Sequence, residues 1–316
     1  MSGVRIVGAL LLVSILSFLP WALAPYYTGL LVQVMIYAIF AMSLDILLGY
    51  TGLPSLGHAA YFGLAGYTVA LLSTKISSQI IVLFPAALAL TTVTSLFFAL
   101  LALRTQGVYF LMITLALGQV LWGVAFKWRS LTGGDDGLPG IRPPDLALGL
   151  TLGDPITFYL FVLVAFASVT FFLHVLVRSP FGLTLKGIRE SQSRMLALGY
   201  DVWLHKLLAF VLAAVFAGIA GLLFTLYNRF VSPSDLSLVL SAKVLLMVTL
   251  GGAGTLYGPI LGAAVIVLLE NFLSAWTERW LFILGVIYVA SVVWAPNGVL
   301  GFLARQTDNP RNGRAP

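Results

Sequence analysis

The chain reads as an all-α protein, a polytopic bundle of about ten transmembrane helices with both termini on the cytoplasmic side. Three observations predict this. Of its 316 residues, 60% are hydrophobic and only 9% are charged, against roughly a quarter charged in soluble domains. The apolar content runs over nearly the whole length, interrupted only by short turns, so one membrane domain fits better than two soluble ones. Lysine and arginine gather in alternate short loops, the pattern that orients membrane helices.

A span needs about 20 mostly apolar residues, because hydrocarbon offers no water to satisfy backbone amides. Residues 6–23 are the first candidate. Arg5 ahead of an apolar run imitates a signal peptide, but no small-residue cleavage pattern follows, and Trp21, Pro25, Tyr26 and Tyr27 have interfacial character, so an uncleaved span is expected. Further candidates are 30–48, 57–73, 80–103, 108–126, 156–177, 206–227, 236–250, 256–273 and 280–295. The third, eighth and tenth are short, which suggests broken, tilted or re-entrant segments. Residues 1–303 form the membrane domain under this reading, and 304–316 form a basic tail.

Orientation follows from the loops. Residues 178–206 hold Arg178, Lys186, Arg189, Arg194 and Lys206, five of the seventeen basic residues, which places that loop in the cytoplasm. The loop 127–155 carries Asp135, Asp136, Asp145 and Asp154 against Lys127, Arg129 and Arg142. One span away, it faces outward. Counting alternately then places Arg5, Arg104 and the tail arginines inside.

Several function classes fall away. The chain has no cysteine, which removes disulfide frameworks, thiolate metal sites and cysteine nucleophiles. The net charge of +6 is dispersed along loop edges and forms no arm suited to nucleic acid. His58, His174 and His205 fall on different segments without a serine–carboxylate partner, and Asp135 and Asp136 lack a third ligand, so neither catalysis nor a metal is expected. The glycine-rich junctions 49–57, 133–137 and 251–258 lack the Lys-Ser/Thr that closes a Walker loop, so the chain binds no nucleotide itself.

Within membranes, glycines permit close packing and broken helices that line a pathway. Gly63 and Gly66, and Gly218 and Gly221, have the spacing of packing contacts. The junctions at 49–57 and 251–258 fall on the same side, consistent with a faint same-direction duplication. Gly52, Ser55, His58, Gly254 and Gly258 are the candidates for a translocation path. Gln33, Asp45, His58, Gln119, Asn228, Lys243, Glu270 and Asn271 are polar residues within spans, and most lie near a predicted end, where snorkelling or helix-dipole pairing accounts for them. The loop from Phe181 to Asp201 is amphipathic, follows the Ser179-Pro180 break, and reads as a short surface helix ended at Gly199. It suits either a solvated, headgroup-facing role or docking on a cytoplasmic partner.

Specific motifs extend from about Met42 to Leu303. Leu47 to Tyr67, Gly107 to Ala116, Thr132 to Ile141, Gly187 to Ser191, Lys206 to Phe210, Lys243 to Met247 and Leu250 to Pro259, in that order, resemble the M-type permease of branched-chain amino-acid ABC importers. The resemblance implies a homologous H-type permease as partner, two cytoplasmic ATP-binding subunits that use ATP, an external solute-binding protein, and a bacterial cytoplasmic membrane location. It implies an ATPase-coupling segment at 186–200, with Lys186, Gly187, Arg189, Glu190, Ala197 and Gly199 at its positions. One departure is Pro54-Ser55-Leu56, where many relatives carry phenylalanine after the serine. Permeases for urea and short amides share the architecture. An ion-coupled secondary transporter is the competing class, and it predicts mid-membrane acidic or histidine relays. An intramembrane transferase would want clustered acids and histidines at one face.

Overall fold

The computed structural model describes residues 14, 16–146, 150–276, 279, 282, 283, 285, 286 and 289. The expected first and tenth spans and the basic tail lie largely outside these residues. The first long helix, α1 (Pro25–Asp45), begins on Pro25, whose fixed φ suits a first helical turn. It continues as a π-helical stretch, Ile46–Thr51, and stops at Gly52, which adopts a left-handed φ of 71°. Then follow α2 (Ala59–Lys75), α3 (Ile80–Ala102), α4 (Val108–Lys127) and α5 (Pro155–Arg178). Two short helices, α6 (Pro180–Glu190) and α7 (Gln192–Ala197), lead to α8 (Val202–Asn228), α9 (Leu238–Gly251) and α10 (Gly258–Trp276). Among the described residues, α1 with its π-helical extension, α3, α4, α5, α8 and α10 are long and apolar enough to cross a membrane. The protein is an all-α, multi-pass membrane protein.

Helix α8 starts four residues before the expected span, because the Asp201 carboxylate accepts the Leu204 amide at 3.0 Å and caps the helix there. Helices α1 and α8 form the centre and are mostly buried. Helices α3, α4, α5 and α10 bury a third or less of their span residues and line the outside. Without a hydrophobic drive between helices in lipid, small residues set how closely they approach. A Cβ on Gly221 would strike the Phe62 carbonyl, and one on Gly66 would strike Thr225 Oγ1, so α2 and α8 meet backbone against backbone. Gly218 leaves room for the Thr91 side chain of α3, which a Cβ there would meet at 3.1 Å. Phe62 packs in tilted contacts with Phe40 and Phe224 at centroid distances of 4.6 and 5.2 Å, filling the space between α1, α2 and α8.

At 1.5 Å per residue, the 17 residues of α2 extend about 26 Å and the 14 of α9 about 21 Å, less than the ~30 Å hydrocarbon core. Both are completed by irregular chain. Residues 52–58 run non-helically from the basic end into the bundle, and α2 starts level with Ser43 of α1 and Ser241 of α9. Non-helical backbone survives at such depth only where protein or a water-filled path satisfies it. Here the Leu53 amide donates to the Leu47 carbonyl at 2.8 Å, the Leu56 amide to Thr114 Oγ1 at 3.4 Å, and the Ala59 amide to Ser241 Oγ at 3.0 Å.

At the opposite, acidic-loop end, β1 (Leu138–Pro139) pairs antiparallel with β4 (Phe230–Val231), tying the long loop to the end of α8. Strands β2 (Asp145–Leu146) and β3 (Leu150–Thr151) form a small hairpin. Asp135 and Asp136 are exposed on a 3₁₀ turn flanked by Gly133 and Gly137, both at positive φ.

Candidate functional site

The basic loop is two helices, where the sequence suggested one. Ser179 Oγ accepts the Gly182 amide and Pro180 opens α6, which ends at Glu190. Ser191 is extended, with φ −159°, and its Oγ accepts the Arg194 amide at 3.3 Å, so the same residue stops α6 and caps α7. The sequence reading missed this because serine also fits a helix interior. Helix α7 ends in a Schellman arrangement: the Tyr200 amide donates to the Met195 carbonyl at 3.1 Å and the Gly199 amide to Leu196 at 3.0 Å, with Gly199 at φ 85°. Gly187 leaves room for the Met195 sulfur, and Ile188, Met195 and Val202 form a small core of their own. The elbow of α6, α7 and α8 is therefore braced.

Two faces result. Leu183, Leu196, Leu198 and Tyr200 are exposed, as are Lys186, Glu190 and Ala197. Arg189 is exposed as well, but its guanidinium and the Lys186 ammonium reach back to the bundle. Arg189 Nη1 donates to the Gly49 carbonyl, and its methylene stem covers Gly52. Gly254 presses against Gly49, and its amide donates to Asp45 Oδ1 at 2.7 Å. Lys186 sits over the Tyr50 ring, 5.3 Å from its centroid. The two glycine junctions, whose Gly49 and Gly254 are 205 residues apart in sequence, thus meet beneath one helix of the basic loop. A side chain at residue 49 would strike both Asp45 and Gly254, and Gly254 adopts φ 84°, so glycine is required by contact at one position and by conformation at the other.

The remaining path candidates occupy nearby but different settings. Ser55 is buried with its hydroxyl unpaired. His58 is fully buried, its Nε2 2.8 Å from Ser43 Oγ and its ring stacked on Phe40, and it makes no side-chain cap to α2. Gly258 packs against the Gly251 carbonyl, closing the turn between α9 and α10. His205 and His174 lie apart, the latter with its Nδ1 3.0 Å from the Tyr257 hydroxyl.

Two expectations need correction. Asp45 is not at a span end, because the π-helical extension carries the helix six residues further, and its carboxylate is buried with Oδ2 unpaired. Lys243 and Glu270 form an ion pair inside the bundle, whereas Glu270 is expected toward the end of its span and neither residue is expected to pair. Nothing in either segment alone signals that pair, which is 27 residues apart. The structural partners Ser43, Thr114 and Ser241 were missed for the same reason.

Comparison with known proteins agrees with this architecture. Residues 26–292 match the model of the family described as branched-chain amino acid transport system / permease component. The chain belongs to this family. It is 29% identical over 289 residues to the high-affinity branched-chain amino acid transport system permease protein LivM of Salmonella typhimurium, covering 84% of this chain and 68% of that one. The Escherichia coli LivM is likewise 29% identical, over 89% of this chain and 71% of its own. A probable branched-chain amino acid transport permease protein LivM of Methanocaldococcus jannaschii is 24% identical over 85% and 86%. No solved structure gives a significant match. The protein is thus a membrane-spanning permease component.

Proposed function

We propose that the chain carries branched-chain amino acids across a bacterial cytoplasmic membrane as one permease of an ATP-driven importer. In this reading a homologous H-type permease, two ATP-binding subunits and an external solute-binding protein complete the complex, and ATP is used by the partners alone. The basic end and both termini face the cytoplasm. The observation that carries the reading is Arg189, which ties α6 to the Gly49 and Gly254 junctions. The exposed leucines, Lys186 and Glu190 supply a mixed apolar and charged dock for an ATPase, and Arg189 converts displacement of that dock into displacement of the discontinuous helix lead-in at 52–58. Alternating access then arises from rigid-body motion of a braced elbow. The family membership and the names of the relatives favour amino acids over urea or short amides.

The test is co-purification of the tagged chain from native membranes in mild detergent. A second permease and ATPases are expected, with ATPase recovery reduced by Glu190→Ala and by Leu196→Ser with Leu198→Ser. Recovery of the chain alone, still active in uptake after reconstitution, would refute the importer reading.

A further inference from the structure

A cavity of about 290 Å³ opens between α1, α8, α9 and α10, near the small end of the roughly 300–1,000 Å³ typical of ligand pockets. Its most distinctive feature is the ion pair of Lys243 and Glu270, whose side chains keep 13% and 23% of their surface accessible. Lys243 Nζ also lies 4.4 Å from the centroid of the Tyr37 ring. Phe224 forms an apolar wall, and Gln33 and Asn228 line the same cavity. Glu270 stands twelve residues beyond Gly258, about 18 Å along the helix from the glycine junction, and Asn228, the last residue of α8, lines the same cavity, so the pair lies within the bundle toward its acidic-loop end. Charges within a membrane bundle are costly and mark sites or pathways.

A purely structural ion pair has no need of a cavity around it or of residual access. An α-amino acid carries the complementary pair of charges on one carbon. We propose that this cavity is the intramembrane binding site for the substrate's zwitterionic head, the carboxylate meeting Lys243 and the ammonium meeting Glu270 over the Tyr37 ring, with the aliphatic side chain against Phe224. The inference rests on the reading of the chain as an amino-acid permease and adds to it the residues that recognise substrate. Insertion of a zwitterion turns a two-member pair into a neutral four-member set, so no net charge is carried into the bundle. The same arrangement disfavours fatty acids and amines, each of which would leave one protein charge unmatched.

The discriminating variant replaces both charges together, Lys243→Met with Glu270→Leu. For a structural pair, such a replacement is neutral or stabilising, and leucine uptake by the reconstituted complex would be unchanged, which overturns the proposal. For a substrate site, uptake at sub-saturating leucine falls by at least about tenfold, the loss expected from one charge-assisted contact, while the partner subunits still co-purify. If the variant fails to assemble, the wild-type complex decides. Carbodiimide modification of Glu270, read by mass spectrometry, is slowed by L-leucine and not by 4-methylpentanoate, which lacks the ammonium. Equal modification with and without leucine overturns the proposal. A wild-type complex that assembles with ATPases but takes up no leucine would overturn the importer substrate and this site together, whereas uptake that survives the double replacement overturns the site alone.

Discussion

Replacing Arg189 by alanine removes the guanidinium bond to the Gly49 carbonyl and the stem that covers Gly52, while leaving the exposed face of the elbow intact. A hydrogen bond from a charged donor contributes about 1.5–3 kcal/mol. Arg189 is exposed, so at most the lower figure applies, and ~1.4 kcal/mol corresponds to about a tenfold change in an equilibrium. In the proposed mechanism the contact joins α6 to the junction that α6 moves. Its loss should therefore lower the amount of substrate moved per ATP by about tenfold, with the ATPase subunits still bound. Proteoliposomes holding the complex permit uptake and phosphate release to be measured on the same sample. Arg189→Lys, which keeps the charge with a single donor head, should fall between wild type and alanine. A parallel drop in uptake and hydrolysis with loss of ATPase subunits would refute the reasoning, because Arg189 would then belong to the dock. An unchanged ratio would refute it equally.

Other predictions follow from the packing. Gly221→Ala drives a methyl into the Phe62 carbonyl and should destabilise the detergent-solubilised protein by about 1–3 kcal/mol, read as a lowered melting temperature. Ser241→Ala leaves the Ala59 amide buried without its partner and should cost about 1–3 kcal/mol in the same assay, whereas a change at an exposed serine such as Ser193 should not. The Thr157 amide and hydroxyl hold the Asp154 carboxyl below its ordinary value of 3.8. A depressed carboxyl contributes stability that is present above 3.8 and lost as pH falls through the lower folded value. The melting difference between wild type and Asp154→Ala should therefore be full at neutral pH and close in acid.

The spans were legible because a bilayer forces nearly every apolar run into a helix of fixed length. Helices α3, α4 and α5 match their expected ranges to within a residue or so at each end. The glycine junctions were legible as breaks, since glycine most readily takes the positive φ found at Gly52 and Gly254. That they touch was not legible, because Gly49 and Gly254 meet through tertiary packing of α1 against the turn between α9 and α10. Charge pairing was hidden for the same reason. Lys243, midway along one expected span, and Glu270, toward the end of another, look unrelated until two helices are laid side by side. In the basic loop, composition showed amphipathic character, whereas the stop at Ser191 depended on whether one hydroxyl turned outward to cap the next helix.

The lead-in to α2 also constrains how the protein is made. Its amides at Leu56 and Ala59 are satisfied by Thr114 and Ser241, hydroxyls that leave the ribosome 58 and 182 residues later. When residues 52–75 first enter the bilayer, neither acceptor exists in the membrane, and the bare amides have only water or a provisional helical turn to turn to. Helices α4 and α9, which carry these hydroxyls, must arrive before the lead-in can take its final shape. The final contacts of a segment made early thus await helices made late, and variants at Ser241 should accumulate with an unfinished third span that is accessible to protease or to water-borne thiol reagents at introduced cysteines.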